Sequence, residues 1–133
     1  MRAAPVLLAA ALLAVGCECR IEMVPATHGS ALLDLRLSGS GFPCGREARV
    51  ASLEVLQAGS GETLWLLESR DGRALPLERV VYGRVPDGFV ERVPARPLVA
   101  GEKVLVSATA PGWTGHFEGT GGAPPRGEPG AGR

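Results

Sequence analysis

Helical periodicity is nearly absent from this chain after its first 16 residues, and lysine, histidine and surplus charge are equally scarce. Acidic and basic side chains balance at 14 each, so there is no basic stripe of the kind that reads nucleic acid. Lys103 is the single lysine, a bias that fits a GC-rich genome better than a guanidinium-based site. It also leaves the glycine-rich loops without a lysine at P-loop spacing. His28 and His116 are the only imidazoles, which restricts any histidine-based chemistry to two positions. No apolar run reaches the roughly 20 residues that a membrane-spanning helix needs. What the chain does have is 19 glycines, 11 prolines, three cysteines and an apolar N-terminus.

That N-terminus has the parts of an export signal: a basic start at Met1-Arg2, an apolar stretch from Ala3 to Val15, and small residues at a cleavage point. Ala14-Val15-Gly16-Cys17 resembles the lipobox of bacterial lipoproteins. The resemblance implies a signal peptide over 1–16 and a diacylglycerol on the Cys17 thiol. The mature chain would then be held to a membrane and face the periplasm of the cell envelope. Ala14 stands where leucine is commonest in that family, and Ala14 with Gly16 also satisfies the small-x-small rule of ordinary secretory cleavage. Simple secretion is therefore the alternative. The resemblance covers about the first 17 residues and implies nothing about activity.

Cysteine parity bears on the same choice. Three thiols in an oxidising compartment leave one to be accounted for. With lipid on Cys17, Cys19 and Cys44 remain as an even pair, and a disulfide between them is worth about 3 to 4 kcal/mol in the chain-entropy model. A thiolate metal site built from Cys17, Cys19 and Cys44 is the competing arrangement. It is disfavoured because exported cysteine pairs are normally oxidised and no histidine stands at zinc-finger spacing.

From Cys17 onward, loss of Arg2 leaves 13 basic against 14 acidic residues, and a chain of this size supports one core. A β-rich domain is expected over 17–118. Residues 119–133 read as a disordered tail, because glycine and proline make up nine of those 15 residues and no large apolar side chain is present. Within the domain the pattern is short strands. Ala31 to Leu37 puts Leu33, Leu35 and Leu37 on one face and Asp34 and Arg36 on the other. Arg49 to Leu56 and Thr63 to Leu67 flank Gly59-Ser60-Gly61 as a hairpin. Asp71-Gly72 turns towards Leu75 to Tyr82, and Phe89 to Val93, Lys103 to Ala108 and Trp113 to Glu118 complete the set. This number of strands and turns predicts an all-β fold, a single small antiparallel sandwich or barrel. Pro97 to Trp113 resembles the last strands of fibronectin-like or carboxypeptidase-regulatory-like sandwich modules. The antibody-type hallmark is missing, since Trp65 follows both Cys19 and Cys44 instead of lying between them.

No residues are expected to be catalytic, cofactor-binding or metal-binding, and no cofactor is expected. His28 has Ser30 nearby, but Pro25 and Gly29 place it in a turn. His116 and Glu118 share a strand face without a visible third ligand. Gly39-Ser40-Gly41 and Gly59-Ser60-Gly61 lack the spacers of a nucleophile elbow. Arginines 70, 73, 79, 84, 92 and 96 form a mildly positive stretch that reads as a solvated, partly paired face. Meeting an anionic envelope polymer is its sharper alternative. Trp65 reads as core, and Trp113 with Phe117 reads either as core or as a contact patch. The expectation is a lipid-anchored binding or structural protein, not an enzyme, that meets an envelope protein or glycan through a strand edge or loop. The alternatives are a small envelope hydrolase using His28 or His116, and a secreted inhibitor of a hydrolase presenting a rigid loop such as Ser38 to Arg46.

Overall fold

The computed structural model describes residues 18–26 and 33–121. Cys17, His28 and the tail beyond Gly121 lie outside the described residues. Ten strands follow in order: β1 (Cys19–Pro25), β2 (Asp34–Ser40), β3 (Arg49–Val50), β4 (Ser52–Gln57), β5 (Thr63–Ser69), β6 (Leu75–Pro76), β7 (Arg79–Val81), β8 (Phe89–Val93), β9 (Glu102–Ala110) and β10 (Trp113–Gly121). There is no helix among the described residues, and the fold is all-β as expected.

Eight strands form one curled sheet in the order β7-β2-β1-β10-β9-β4-β5-β8, and β3 pairs with β6 beside it. The sheet is mixed, where antiparallel pairing alone was expected. β1 runs parallel to β10 through Cys19↔Trp113 and Arg20↔Thr114 while pairing antiparallel with β2 on its other side. The first strand therefore lies between the second and the last, so both ends of the domain meet in the middle of the sheet. Gly115 makes the join close: a Cβ there would overlap the Ile21 carbonyl.

Alternation explains most of the elements. Ile21 and Met23 of β1, Leu35 and Leu37 of β2, Leu53 and Val55 of β4, and Val104, Val106 and Ala108 of β9 all point into one core, as period-two patterning requires. β5 breaks the alternation, because Leu64 and Trp65 are both buried. The β4/β5 register shifts between Val55 and Leu56, and a bulge at this point turns consecutive residues inward. Trp65 packs edge-on against Tyr82, with ring centroids 5.1 Å apart. The Tyr82 hydroxyl donates to the Arg96 carbonyl at 2.6 Å. Burial raises the pKa of this phenol, the largest of the influences on it.

Three segments differ from expectation. Arg49 to Leu56 is two strands, because its hydrogen-bond partner changes at Ala51: β3 pairs with β6, whereas β4 pairs with β5 and β9. Leu75 to Tyr82 also divides, with β6 on β3 and β7 on β2. Between them Leu77 N–H donates to Ala48 and Glu78 C=O accepts from Leu37, so this segment leads from the two-stranded β3/β6 sheet to the β7 edge of the eight-stranded one. β10 runs on through Gly119, Thr120 and Gly121, which pair with Val104, Lys103 and Glu102. The regular structure thus extends three residues past the expected boundary at 118.

Candidate functional site

Cys19 and Cys44 form a disulfide with their Cα atoms 5.7 Å apart. It joins the start of β1 to the loop after β2. The loop is built by local hydrogen bonds. Gly41 takes a φ of 107°, which favours glycine, and the Cys44 N–H donates to the Gly41 carbonyl at 3.0 Å, closing a tight turn with Phe42 and Pro43 at its corner. The return limb is held to β2 by the Gly39 N–H, which donates to the Arg46 carbonyl at 2.6 Å. Phe42 is held outward and is 91% exposed, more than any other large apolar side chain among the described residues.

The β9–β10 turn reaches the same end of the domain, since the Cys19 N–H donates to the Gly112 carbonyl at 2.8 Å. Trp113 follows that turn and packs on the core together with Phe117. Its ring approaches Gly39, where a Cβ would come within 3.0 Å of it. Both aromatics are therefore core-packed, and the aromatic exposed to solvent at this end is Phe42.

His116 lies on the outer face of β10, in an open furrow of about 470 Å³ that also takes in Glu18, Arg20 and Glu22 of the β1 side. Glu22 accepts a hydrogen bond from the Ser40 hydroxyl at 3.0 Å. Glu118 shares the exposed face of β10 with His116 but lines a different depression, with Lys103 and Thr120. Among the described residues no group of three His, Cys, Asp or Glu side chains could hold a metal ion.

The arginine-rich stretch is largely engaged. Arg73 pairs with Asp71, Arg79 with Asp34, Arg92 with Glu68 and Arg96 with Glu102, which fits a solvated, partly paired face. Asp34 departs from expectation: alternation puts it on the wet face, yet its side chain is only 7% exposed. Arg79 covers it with two hydrogen bonds, Nε to Oδ1 at 2.9 Å and Nη2 to Oδ2 at 2.6 Å. Glu102 is a second hub, accepting from the Val99 N–H, Gln57 and Arg96. These contacts hold its carboxyl below the ordinary range, the Val99 N–H foremost. The Asp34 contact joins β2 to β7, and Glu102 ties β9 to β4 and to the loop before it.

The chain matches no family model, no curated protein and no solved structure.

Proposed function

We propose that this chain is a bacterial envelope lipoprotein: exported by the segment 1–16, anchored by lipid on Cys17, and presenting its β-domain on the periplasmic side as a binding or structural module. The Cys19–Cys44 disulfide carries the reading. It uses two of three thiols, leaves Cys17 as the odd one after Ala14-Val15-Gly16, and suits an oxidising compartment. Contact with an envelope protein or glycan would be made by loops or by the sheet edges at β7 and β8.

Intact mass of the protein from cells, with and without reductant, tests this. A diacylglycerol-sized increment on Cys17 together with a two-hydrogen deficit removed by reductant is expected. An unlipidated chain refutes the anchor.

A second reading draws on the Phe42 turn. A disulfide-tethered loop with an outward aromatic suits a secreted inhibitor that fills a hydrolase pocket, and this reading requires an unlipidated N-terminus. A hydrolase based on His28 or His116 is tested separately: replacing both by alanine would abolish its activity, and function that survives excludes it.

A further inference from the structure

We propose that the Phe42 turn is a membrane-contact element, whose ring enters the headgroup and upper acyl region of the bilayer that holds the lipid on Cys17. This rests on the lipoprotein reading above. Its geometry comes from covalent connectivity. Cys17 is two residues from Cys19, Phe42 is two residues from Cys44, and the bridge sets the middle Cα atoms 5.7 Å apart. At no more than about 3.6 Å of chain per residue, the Phe42 Cα lies within roughly 20 Å of the Cys17 Cα. A diacylglycerol on Cys17 holds that residue at headgroup level. Phe42 is thereby kept within that distance of the bilayer surface.

The chemistry of that end suits a bilayer surface. Phe42, Pro43, Gly41 and Gly45 are exposed together with Arg46, which can meet an anionic headgroup. Glu18, Arg20 and Glu47 are exposed in the same two segments, so two acidic and two basic side chains leave the patch close to neutral and attraction to it comes mainly from the apolar ring. The turn is already folded and crosslinked, so insertion requires little further ordering. Val24 and Val99 are also exposed, but neither is tied to the anchor in this way. Val99 lies beyond the start of β9, whereas the turn beside Cys19 follows its end. Nine residues of extended strand separate them, about 30 Å.

The test uses lipidated protein reconstituted into vesicles of phosphatidylethanolamine and phosphatidylglycerol with brominated acyl chains. Phe42→Trp and Val99→Trp are compared, and the emission of the parent, which contains Trp65 and Trp113, is subtracted from each. The two-hydrogen deficit shows that the bridge is present in each variant, and a urea midpoint matching that of the parent certifies its fold. The indole of Phe42→Trp is expected to emit at shorter wavelength than that of Val99→Trp. It should also be quenched several-fold more by brominated chains and less by aqueous iodide. Equal iodide access at the two positions in a mass-verified lipoprotein overturns the membrane contact and leaves the anchor standing. Shielding of Phe42→Trp that needs added envelope proteins, and is absent in pure lipid, overturns it in favour of a protein partner. Absence of lipid on Cys17 by mass removes both readings.

Discussion

Reduction of the Cys19–Cys44 bridge frees a loop whose ends are 25 residues apart in sequence. In the chain-entropy model, closing a loop of that length removes about 12 cal/mol/K from the unfolded chain, or about 3.5 kcal/mol at 25 °C. The folded state loses little beside this, because β1 stays paired to β2 from Arg20 through Pro25 without the crosslink. The effect therefore falls on the unfolded side, and the reduced domain should remain folded but weaker. The assay is urea unfolding followed by tryptophan fluorescence, with and without reductant, in a Cys17→Ser background so that the third thiol cannot exchange. At an m-value near 1.5 kcal/mol/M the midpoint should fall by about 2 M, and the melting temperature by roughly 15 to 25 °C. Cys19→Ser and Cys44→Ser should each reproduce the reduced midpoint and lose all response to reductant. A drop of less than about 1 kcal/mol would refute the reasoning, since the bridge would then leave the unfolded ensemble nearly as free as before.

Tyr82→Phe removes a hydroxyl that donates to the Arg96 carbonyl and should lower stability by about 1 to 2 kcal/mol, read from the urea midpoint at unchanged slope. Gly115→Ala places a methyl group against the Ile21 carbonyl. A backbone group cannot step aside as a side chain can, so a loss of about 1 to 3 kcal/mol is expected, with amide exchange in β1 accelerating more than in β4. Glu102 has a folded-state pKa below its ordinary value of 4.5, chiefly because the Val99 N–H hydrogen-bonds the carboxylate. The unfolded chain then binds this proton more readily, so the contribution is present above about pH 4.5 and is lost as pH falls through the folded value. Glu102→Gln should flatten the acid limb of the stability–pH curve, as followed by chemical denaturation at a series of pH values.

Period-two alternation reports which way a side chain points and says nothing about which strand it pairs with. Leu33, Leu35 and Leu37, or Val104 and Val106, could therefore be read as inward-facing from the amino-acid order alone, and they are buried. The same logic could not show which strands Arg49 to Leu56 and Leu75 to Tyr82 pair with on either side of their breaks, although the buried positions change phase there, from Val50 to Leu53 and from Leu77 to Val80. β1 carries a legible signal in Ile21 and Met23, but only two inward residues next to the apolar N-terminus are easily passed over. Its parallel pairing with β10 joins residues more than 90 positions apart. Asp34 was misplaced for a related reason. Its cover comes from Arg79, 45 residues away, and a local window contains no trace of that partner.

The candidate site divides along the same line. Parity singles out the Cys19–Cys44 pair only together with the lipobox resemblance, because with Cys17 set aside for lipid one pairing remains. Phe42 could not be found in that way. Its hydrophobicity argues for the interior, and in most folds a phenylalanine there would be buried. What holds it outside is the combination of a left-handed glycine at Gly41, the hydrogen bond that closes the turn, and the return limb fixed to Gly39. These are backbone decisions, and at this end of the domain it is Trp113 that packs against the core. The bridge then joins the parity argument to the exposed ring. The thiol pairing that leaves Cys17 as the odd cysteine is also the covalent link that ties the Phe42 turn to the start of β1.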